Sequence, residues 1–128
     1  MMKNPMHRKA IYWAPAILWA GLIFVFSSLS FPPGPDLFPA QDKVMHTILF
    51  GTLAGFIFLG FRVERQFSFR KAALLAVLLT SLYGAFDEFH QYFTPNRNSD
   101  AMDWTADTVG GVLFVAGWNL CSRKMPKR

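Results

Sequence analysis

The sequence predicts an all-α membrane protein, built as a bundle of four transmembrane helices. Of the 128 residues, 52% are hydrophobic and only 16% are charged, whereas a soluble domain carries about 25% charged residues. Four mostly apolar stretches each approach the roughly 20 residues that a helix needs to cross a bilayer core of about 30 Å. The basic residues lie mainly between these stretches and in the tails, a pattern typical of a multi-pass protein.

The four predicted helices follow one another with short connections, so we expect a single membrane domain over residues 1–128. The predicted spans are about 10–29, 44–61, 72–93 and 104–121. The first connection contains four prolines, which block a helix and favour an extended strap. A signal peptide is the alternative for the first stretch, but typical h-regions have about 7–15 apolar residues, and no A-x-A cleavage site follows.

Basic residues determine the predicted orientation. Eleven of the 13 lysines and arginines lie in the N-terminal tail, the second connection or the C-terminal tail, and only Lys43 and Arg97 lie elsewhere. Because basic residues accumulate on the cytoplasmic side, we expect both termini in the cytoplasm and a location in the bacterial inner membrane. The lipid bilayer is therefore the expected partner. Nucleic acid is excluded as a partner because the net charge of +5 is divided among three clusters.

Acidic residues are concentrated at the predicted outer ends of helices two, three and four. Asp87 lies six residues before the predicted end of helix three at Phe93, which places it roughly 9 Å inside the span at about 1.5 Å per residue. An acid near the centre of a membrane helix costs about 2.5–3.5 kcal/mol on insertion scales. Asp87 and Glu88 are therefore expected to face the bundle interior or a watery cavity. Six of the eight acids lie at this level: Asp42, Asp87, Glu88, Asp100, Asp103 and Asp107.

The spacing of these polar residues predicts one shared site. Asp42 and His46 are four residues apart and share a helix face, and the three acids of helix four lie on one stripe. We expect the six acids to cluster with Arg97. Because six carboxylates far outnumber Lys43 and Arg97, some must hold a proton or a cation. Oxygen ligands suit Mg²⁺ or Ca²⁺, and a histidine with acids suits Mn²⁺ or Zn²⁺. The cofactor is thus open, with a divalent cation as a candidate and Asp87, Glu88, Asp103 and Asp107 as its candidate ligands.

Three motifs contain most of these residues. The run from Asp42 to His46 matches D-K-x-x-H, and the run from Tyr83 to Gln91 matches Y-G-x-x-D-E-x-x-Q. A third run matches F-x-P-x-R-x-x-D-x-x-D-x-x-x-D/N-x-x-G from Phe93 to Gly110. Together these motifs resemble the VanZ-like family of small bacterial membrane proteins, over about residues 10–120. One departure is Phe50, where the family commonly has a tyrosine.

The resemblance implies a role at the outer face of the membrane. The founding member of the VanZ-like family is associated with resistance to teicoplanin, a glycopeptide antibiotic that acts at that face. We therefore expect the protein to bind, or act on, an anionic lipid-linked or cell-wall precursor. In a catalytic version, Asp87 or Glu88 would be the general base and His46 the general acid. The predicted substrate-binding residues are Arg97, Lys43, Gln91, Asp103 and Asp107.

Other interpretations remain open at this point. The protein could be a non-catalytic binding, shielding or structural membrane protein, or a small transporter, although no acids continue into the cytoplasmic half. Asp42 and Asp100 could be the N-caps of helices two and four. Arg97 could form a salt bridge with Asp100, Asp103 or Glu88, and Lys43 could snorkel to headgroups. The remaining polar and small residues could also be purely structural. His46 and Gln91 could form interhelical hydrogen bonds, and His90 could lie at the membrane interface. The small residues that could allow close helix packing are Gly51, Gly55, Ala106 and Gly110.

Overall fold

The computed structural model of the protein describes residues 5–31 and 34–124, with side chains described from residue 11 onward. Within these ranges the chain is helical and contains no strand. The predictions made for the basic residues Lys3, Lys127 and Arg128 and for Pro32 and Pro33 lie outside the described residues. The four long helices are α1 (Pro5–Ser28), α2 (Gln41–Leu59), α3 (Phe69–Tyr92) and α4 (Ala101–Lys124).

The helix ends differ from the predicted spans by a few residues. Helix α2 begins at Gln41, immediately after Ala40, whose φ of 60° is left-handed and turns the chain into the helix. Asp42 therefore lies in the first turn, and its interpretation as an N-cap is wrong. At α4 the N-cap interpretation is confirmed, because the carboxylate of Asp100 accepts the Met102 backbone N–H at 2.8 Å. A π-helical turn, Gly60–Glu64, extends α2 at its other end.

Three of the four helices are long and apolar enough to cross a membrane. These segments are Ile11–Ser28, Gln41–Glu64 and Phe69–Tyr92. Helix α4 is long enough, but Asp103, Asp107 and Asn119 reduce its apolar character. A membrane protein with three candidate spans is therefore supported by the described residues, and the crossing by α4 stays a prediction.

Helix α2 lies at the centre of the fold and contacts α1, α3 and α4. Its most extensive interface is with α4, where two glycines bring the backbones together. A Cβ atom on Gly51 would lie 3.0 Å from the Gly110 carbonyl oxygen, and a Cβ on Gly110 would collide with the Thr47 carbonyl oxygen. The predicted close packing by small residues is confirmed here. Gly55 differs, because it faces the aromatic ring of Phe114 instead of a backbone.

The interior changes in character along the helices. Towards the end of α2 the core is apolar, with fully buried Phe50 and Phe58 and nearly fully buried Leu53. The opposite end of the bundle is polar, and we call it the polar end. It is formed by the start of α2, the end of α3 and the start of α4. The buried polar side chains on these three helix ends are Asp87, Glu88, Gln91, Asp103 and Asp107.

Candidate functional site

The acids of α3 and α4 face the interior of the bundle. Asp87 and Glu88 are 3% and 7% exposed, and Asp107 is fully buried. The bundle interior is where the insertion cost predicts such residues, because an acid facing lipid has no partner. Of the acids at the polar end, Asp42 is exposed and Asp100 is half-buried. The polar end thus has a rim and a buried centre.

One lysine joins three carboxylates at the rim. The Nζ atom of Lys43 lies 3.1 Å from a carboxylate oxygen of each of Asp42, Asp100 and Asp103. We call these four residues the lysine layer. The Met102 backbone N–H and the Lys43 ammonium together hold the pKa of Asp100 below its ordinary value. The layer ties the first turn of α2 to the start of α4.

One turn deeper, three side chains from three helices meet. The Nδ1 atom of His46 lies 2.8 Å from Oδ1 of Asp107, and the His46 ring is parallel to the ring of Phe50. His46, Glu88 and Asp107 each place one possible ligand atom within 4.8 Å of the others. We call these three residues the inner triad. It joins α2, α3 and α4 at a single point.

The inner triad contains two buried oxygens without a hydrogen-bond partner among the described residues, Oε1 of Glu88 and Oδ2 of Asp107. The other Glu88 oxygen is satisfied, because it accepts the Asp100 backbone N–H at 2.8 Å and the Ser99 hydroxyl at 3.4 Å. Oδ2 of Asp107 lies against Gly84, where a Cβ atom would approach it to 2.7 Å. Buried carboxylate oxygens that lack a donor are costly, so these two atoms require an explanation.

Asp87, Gln91 and His90, near the end of α3, have partners outside the inner triad. The Gln91 side-chain amide donates to Asp87 at 3.2 Å. His90 lies on the side of α3 that faces α1, where Nε2 is 2.9 Å from the Ser28 hydroxyl and the ring stacks on Phe24. His90 is therefore separate from the inner triad.

Arg97 forms no ion pair with any acid in the described part of the chain, and it is half-buried in the loop between α3 and α4. Lys43 takes two of the partners, Asp100 and Asp103, that a salt bridge of Arg97 would have used. The interpretation of Arg97 as a salt-bridge partner of these acids is thus wrong, and its membership of the site stays a prediction. The guanidinium is left available for another anion.

A groove on the side of the bundle leads to Glu88. It lies between α3 and α4, has a volume of about 270 Å³ and is lined by Ala85, Glu88, Ser99, Ala101 and Trp104. The Trp104 indole N–H donates to the Ser81 carbonyl at 3.0 Å, which holds the ring in place. Glu88 is therefore the member of the inner triad that borders this groove.

A family model described as VanZ/LLP1 matches residues 12–122. The chain belongs to the VanZ/LLP1 family. The resemblance predicted from the three motifs is thereby confirmed, and the matched range includes the whole of the lysine layer and the inner triad. No curated protein and no solved structure matches the chain significantly.

The VanZ/LLP1 chain brings together only part of the predicted metal-ligand set. Glu88 and Asp107 converge with His46, which the sequence suggested for acid catalysis, whereas Asp103 is held by the lysine layer. The sequence reasoning missed two contributors, Gly84 and Ser99. Gly84 stands within the Y-G motif, which is the signal that could have found it, but its role depends on the position of α4. The triad can hold a cation or share a proton.

Proposed function

We propose that the protein is a multi-pass inner-membrane protein with four crossings and both termini in the cytoplasm. The basic residues of the connection between α2 and α3 lie at the end opposite the polar end, as do the last basic residues of α4. This separation supports a cytoplasmic location for the basic end by the positive-inside rule. The polar end would then lie at the extracytoplasmic face.

At that face, we propose, the protein binds or acts on an anionic lipid-linked or cell-envelope molecule. The observation that carries this proposal is the lateral groove that leads from the bundle surface to Glu88. An amphiphile could place its polar group in such a groove while its chain stays in the bilayer. Arg97 is the best candidate for the anion, because a guanidinium binds phosphate through paired hydrogen bonds. Lys43 would assist by exchanging one of its three carboxylates for the ligand.

The same residues support two versions of this function. If there is turnover, Glu88 is better placed than Asp87 to act as general base, because it borders the groove. His46 would be the general acid, and Gln91, Asp103 and Asp107 would orient polar groups of the substrate. Without turnover, the polar end would serve as a receptor that shields an envelope molecule. Either version is compatible with the link to glycopeptide resistance that the family suggests.

A transport pathway has less support. Beyond the inner triad the bundle is filled by Phe50, Leu53 and Phe58, which are buried and apolar. A proton or ion crossing the membrane would need polar groups along that half as well. We therefore favour a site that opens to one face only.

The proposal can be tested on detergent-purified protein with a polyprenyl phosphate as the probe and the matching neutral polyprenol as its control. We expect the phosphate, but not the alcohol, to raise the apparent melting temperature. Arg97→Gln should abolish this effect, whereas Arg65→Gln, which removes an arginine at the opposite end, should retain it. Equal stabilisation by the alcohol, or an Arg97→Gln variant that responds like the wild type, would contradict the proposal. Release of inorganic phosphate would distinguish turnover from binding.

A further inference from the structure

We propose that the inner triad is a binding site for a divalent transition-metal ion, with His46, Glu88 and Asp107 as its ligands. The ions whose chemistry fits are Zn²⁺ and Mn²⁺. The biological meaning of this ion rests on the proposed function, which it deepens, because a cation beside the groove would attract the same anionic group. The binding itself can be measured without any lipid ligand.

The geometry of the triad is close to that of a ligand set. Its three donors come from three different helices, and the possible ligand atoms lie within 4.8 Å of one another. Ligand atoms at about 2.0–2.2 Å from a tetrahedral Zn²⁺ are about 3.4 Å apart. A movement of up to about 1.4 Å, within reach of small side-chain rotations, would therefore complete the site. The two acids are held in place from outside, Glu88 by the start of α4 and Asp107 by contact with Gly84.

The unpartnered oxygens provide a second and independent indication. Oδ2 of Asp107 belongs to a fully buried residue, and Oε1 of Glu88 belongs to a residue that is 7% exposed. Neither oxygen receives a hydrogen bond from the described residues, although other acids at the polar end have donors. Buried polar atoms are almost always satisfied in native proteins. A cation bound among the three residues would supply these carboxylates with the partner that the described residues do not provide.

The distribution of charge points the same way. The single ammonium of the lysine layer is shared among three rim carboxylates, and no lysine or arginine forms an ion pair with the deeper acids of the described residues. Three carboxylates remain there, those of Asp87, Glu88 and Asp107, and the basic group bonded to one of them is His46. One divalent ion would offset the two carboxylates of the triad, while the Gln91 amide supports the third. The rival explanation is that protons occupy this centre, and the experiment below separates the two.

The donor set selects the type of ion. Mg²⁺ and Ca²⁺ prefer oxygen ligands, whereas an imidazole together with carboxylates suits Mn²⁺ and Zn²⁺. A thiolate does not take part, since Cys121 is exposed near the far end of α4. Zinc sites with three protein ligands keep a further position for water or substrate. The ion would therefore add a Lewis acid to a site that otherwise offers only acids and one histidine.

The test uses full-length protein in detergent, stripped with a chelator and titrated separately with Zn²⁺, Mn²⁺ and Mg²⁺ by calorimetry. We expect one ion per chain and a rise in apparent melting temperature with Zn²⁺ or Mn²⁺, but not with Mg²⁺. Glu88→Gln and His46→Gln should each weaken binding by at least about ten-fold, because even the loss of a group that only supports a metal ligand typically costs that much. Asp42→Asn, which removes a carboxylate of the rim, should bind like the wild type.

X-ray absorption of the loaded wild-type protein keeps the test independent of how the variants fold, and nitrogen and oxygen neighbours without sulfur are expected. The proposal is overturned if no ion binds, if a sulfur ligand appears, or if folded Glu88→Gln and His46→Gln bind normally. It is also overturned if Asp42→Asn loses as much affinity as they do. Stabilisation by polyprenyl phosphate without ion binding would contradict the metal site and leave the proposed function intact. Ion binding without a response to polyprenyl phosphate would support the metal site and contradict the proposed function.

Discussion

At the polar end, the residues of the rim and those of the buried centre have different roles. Lys43 meets three carboxylates at 3.1 Å each. Water screens exposed ion pairs, so the arrangement matters mainly because it fixes the position of the two helices. By holding the start of α4 beside the first turn of α2, Lys43 keeps the deeper acids in register with His46. Among the acids of the inner triad, Glu88 is the one that borders the groove.

We expect Glu88→Gln to remove function with little loss of folded protein. The amide keeps the shape of the side chain and can still accept the Asp100 backbone N–H, which Glu88 accepts at 2.8 Å. An interhelical hydrogen bond in a membrane is worth roughly 1 kcal/mol, so stability should change little. The loss should appear in glycopeptide tolerance or polyprenyl phosphate binding, measured beside abundance in the membrane.

The matched control for this substitution is Glu64→Gln. Glu64 lies at the opposite end of the bundle and accepts the Trp13 indole N–H at 2.7 Å, a bond that an amide oxygen can also accept. This variant should keep normal activity. Full activity of Glu88→Gln at normal abundance would make Glu88 a structural residue only.

The substitution Lys43→Gln should make the protein less stable at neutral pH, and the difference from the wild type should shrink in acid. The folded pKa of Asp100 lies below its ordinary value, in part because of Lys43. Such a carboxylate stabilises the fold above its unfolded pKa of about 3.9, and this contribution is lost as the pH falls through the folded pKa. Protonated carboxylates are not stabilised by the ammonium, so below that pH the substitution lowers the free energy of unfolding by less than it does at neutral pH.

Apparent melting temperatures measured from neutral to acidic pH would check this expectation. Arg70→Gln is a suitable control because it removes one positive charge from an exposed position at the other end of the bundle. A gap between Lys43→Gln and the wild type that stays constant with pH would rule out the proposed ionic role of Lys43.

At the scale of helices, the α2–α4 interface positions the site. Gly110 lies one turn after Asp107, and its backbone contacts the carbonyl of Thr47, the residue after His46. The distance between these two backbones therefore sets the distance between His46 and Asp107. Packing and chemistry are coupled at this crossing, because a side chain that separates the helices would also open the inner triad.

We expect Gly110→Ala to reduce the yield of folded protein. The added Cβ would collide with the Thr47 carbonyl oxygen, which is backbone and cannot rotate away. Overpacking of this kind costs about 1–3 kcal/mol. The matched control is Gly117→Ala in the same helix, where nothing lies within 4 Å of the new atom and alanine should be favoured by about 1 kcal/mol or less.

The measurement is the monodisperse fraction after detergent extraction, together with the apparent melting temperature. Gly110→Ala should fall below the wild type on both, and Gly117→Ala should equal or exceed it. If the two variants behave alike, the close approach at Gly110 does not limit stability.

The helices and the level of the acids could be predicted from the sequence, because hydropathy and the cost of a charge in lipid act on each segment separately. The start of α2 at Gln41 could not, since it depends on the left-handed turn at Ala40. The choice of Lys43 over Arg97 as the partner of the acids also escaped prediction. Both cations are close in depth, and only the packing of α2 against α4 decides which one reaches Asp103.

For the whole molecule, the number of crossings determines the side on which the chain ends. Three candidate spans are apolar enough by composition, and α4 is the fourth by prediction. If α4 crosses, the C-terminus returns to the side of the N-terminus, and if it does not, the C-terminus lies on the opposite side. The location of the C-terminus therefore tests α4 directly.

A reporter enzyme that is active only outside the cytoplasm should be inactive when fused after Arg128. The same reporter inserted at Gly34, in the connection between α1 and α2, should be active. Strong activity of both fusions would show that α4 does not cross the membrane, whereas activity of the C-terminal fusion alone would require a different orientation for the polar end. A reporter active at neither site would place the connection between α1 and α2 and the C-terminus in the cytoplasm.

The groove between α3 and α4 has a consequence for how any ligand is encountered. A molecule that reaches Glu88 from the side of the bundle diffuses within one leaflet, so its supply is set by its mole fraction among lipids and not by its concentration in water. Adding buffer to a vesicle suspension would leave occupancy unchanged, whereas adding plain lipid would lower it. Two-dimensional dilution of this kind would reveal whether the ligand approaches from the membrane or from the aqueous solution.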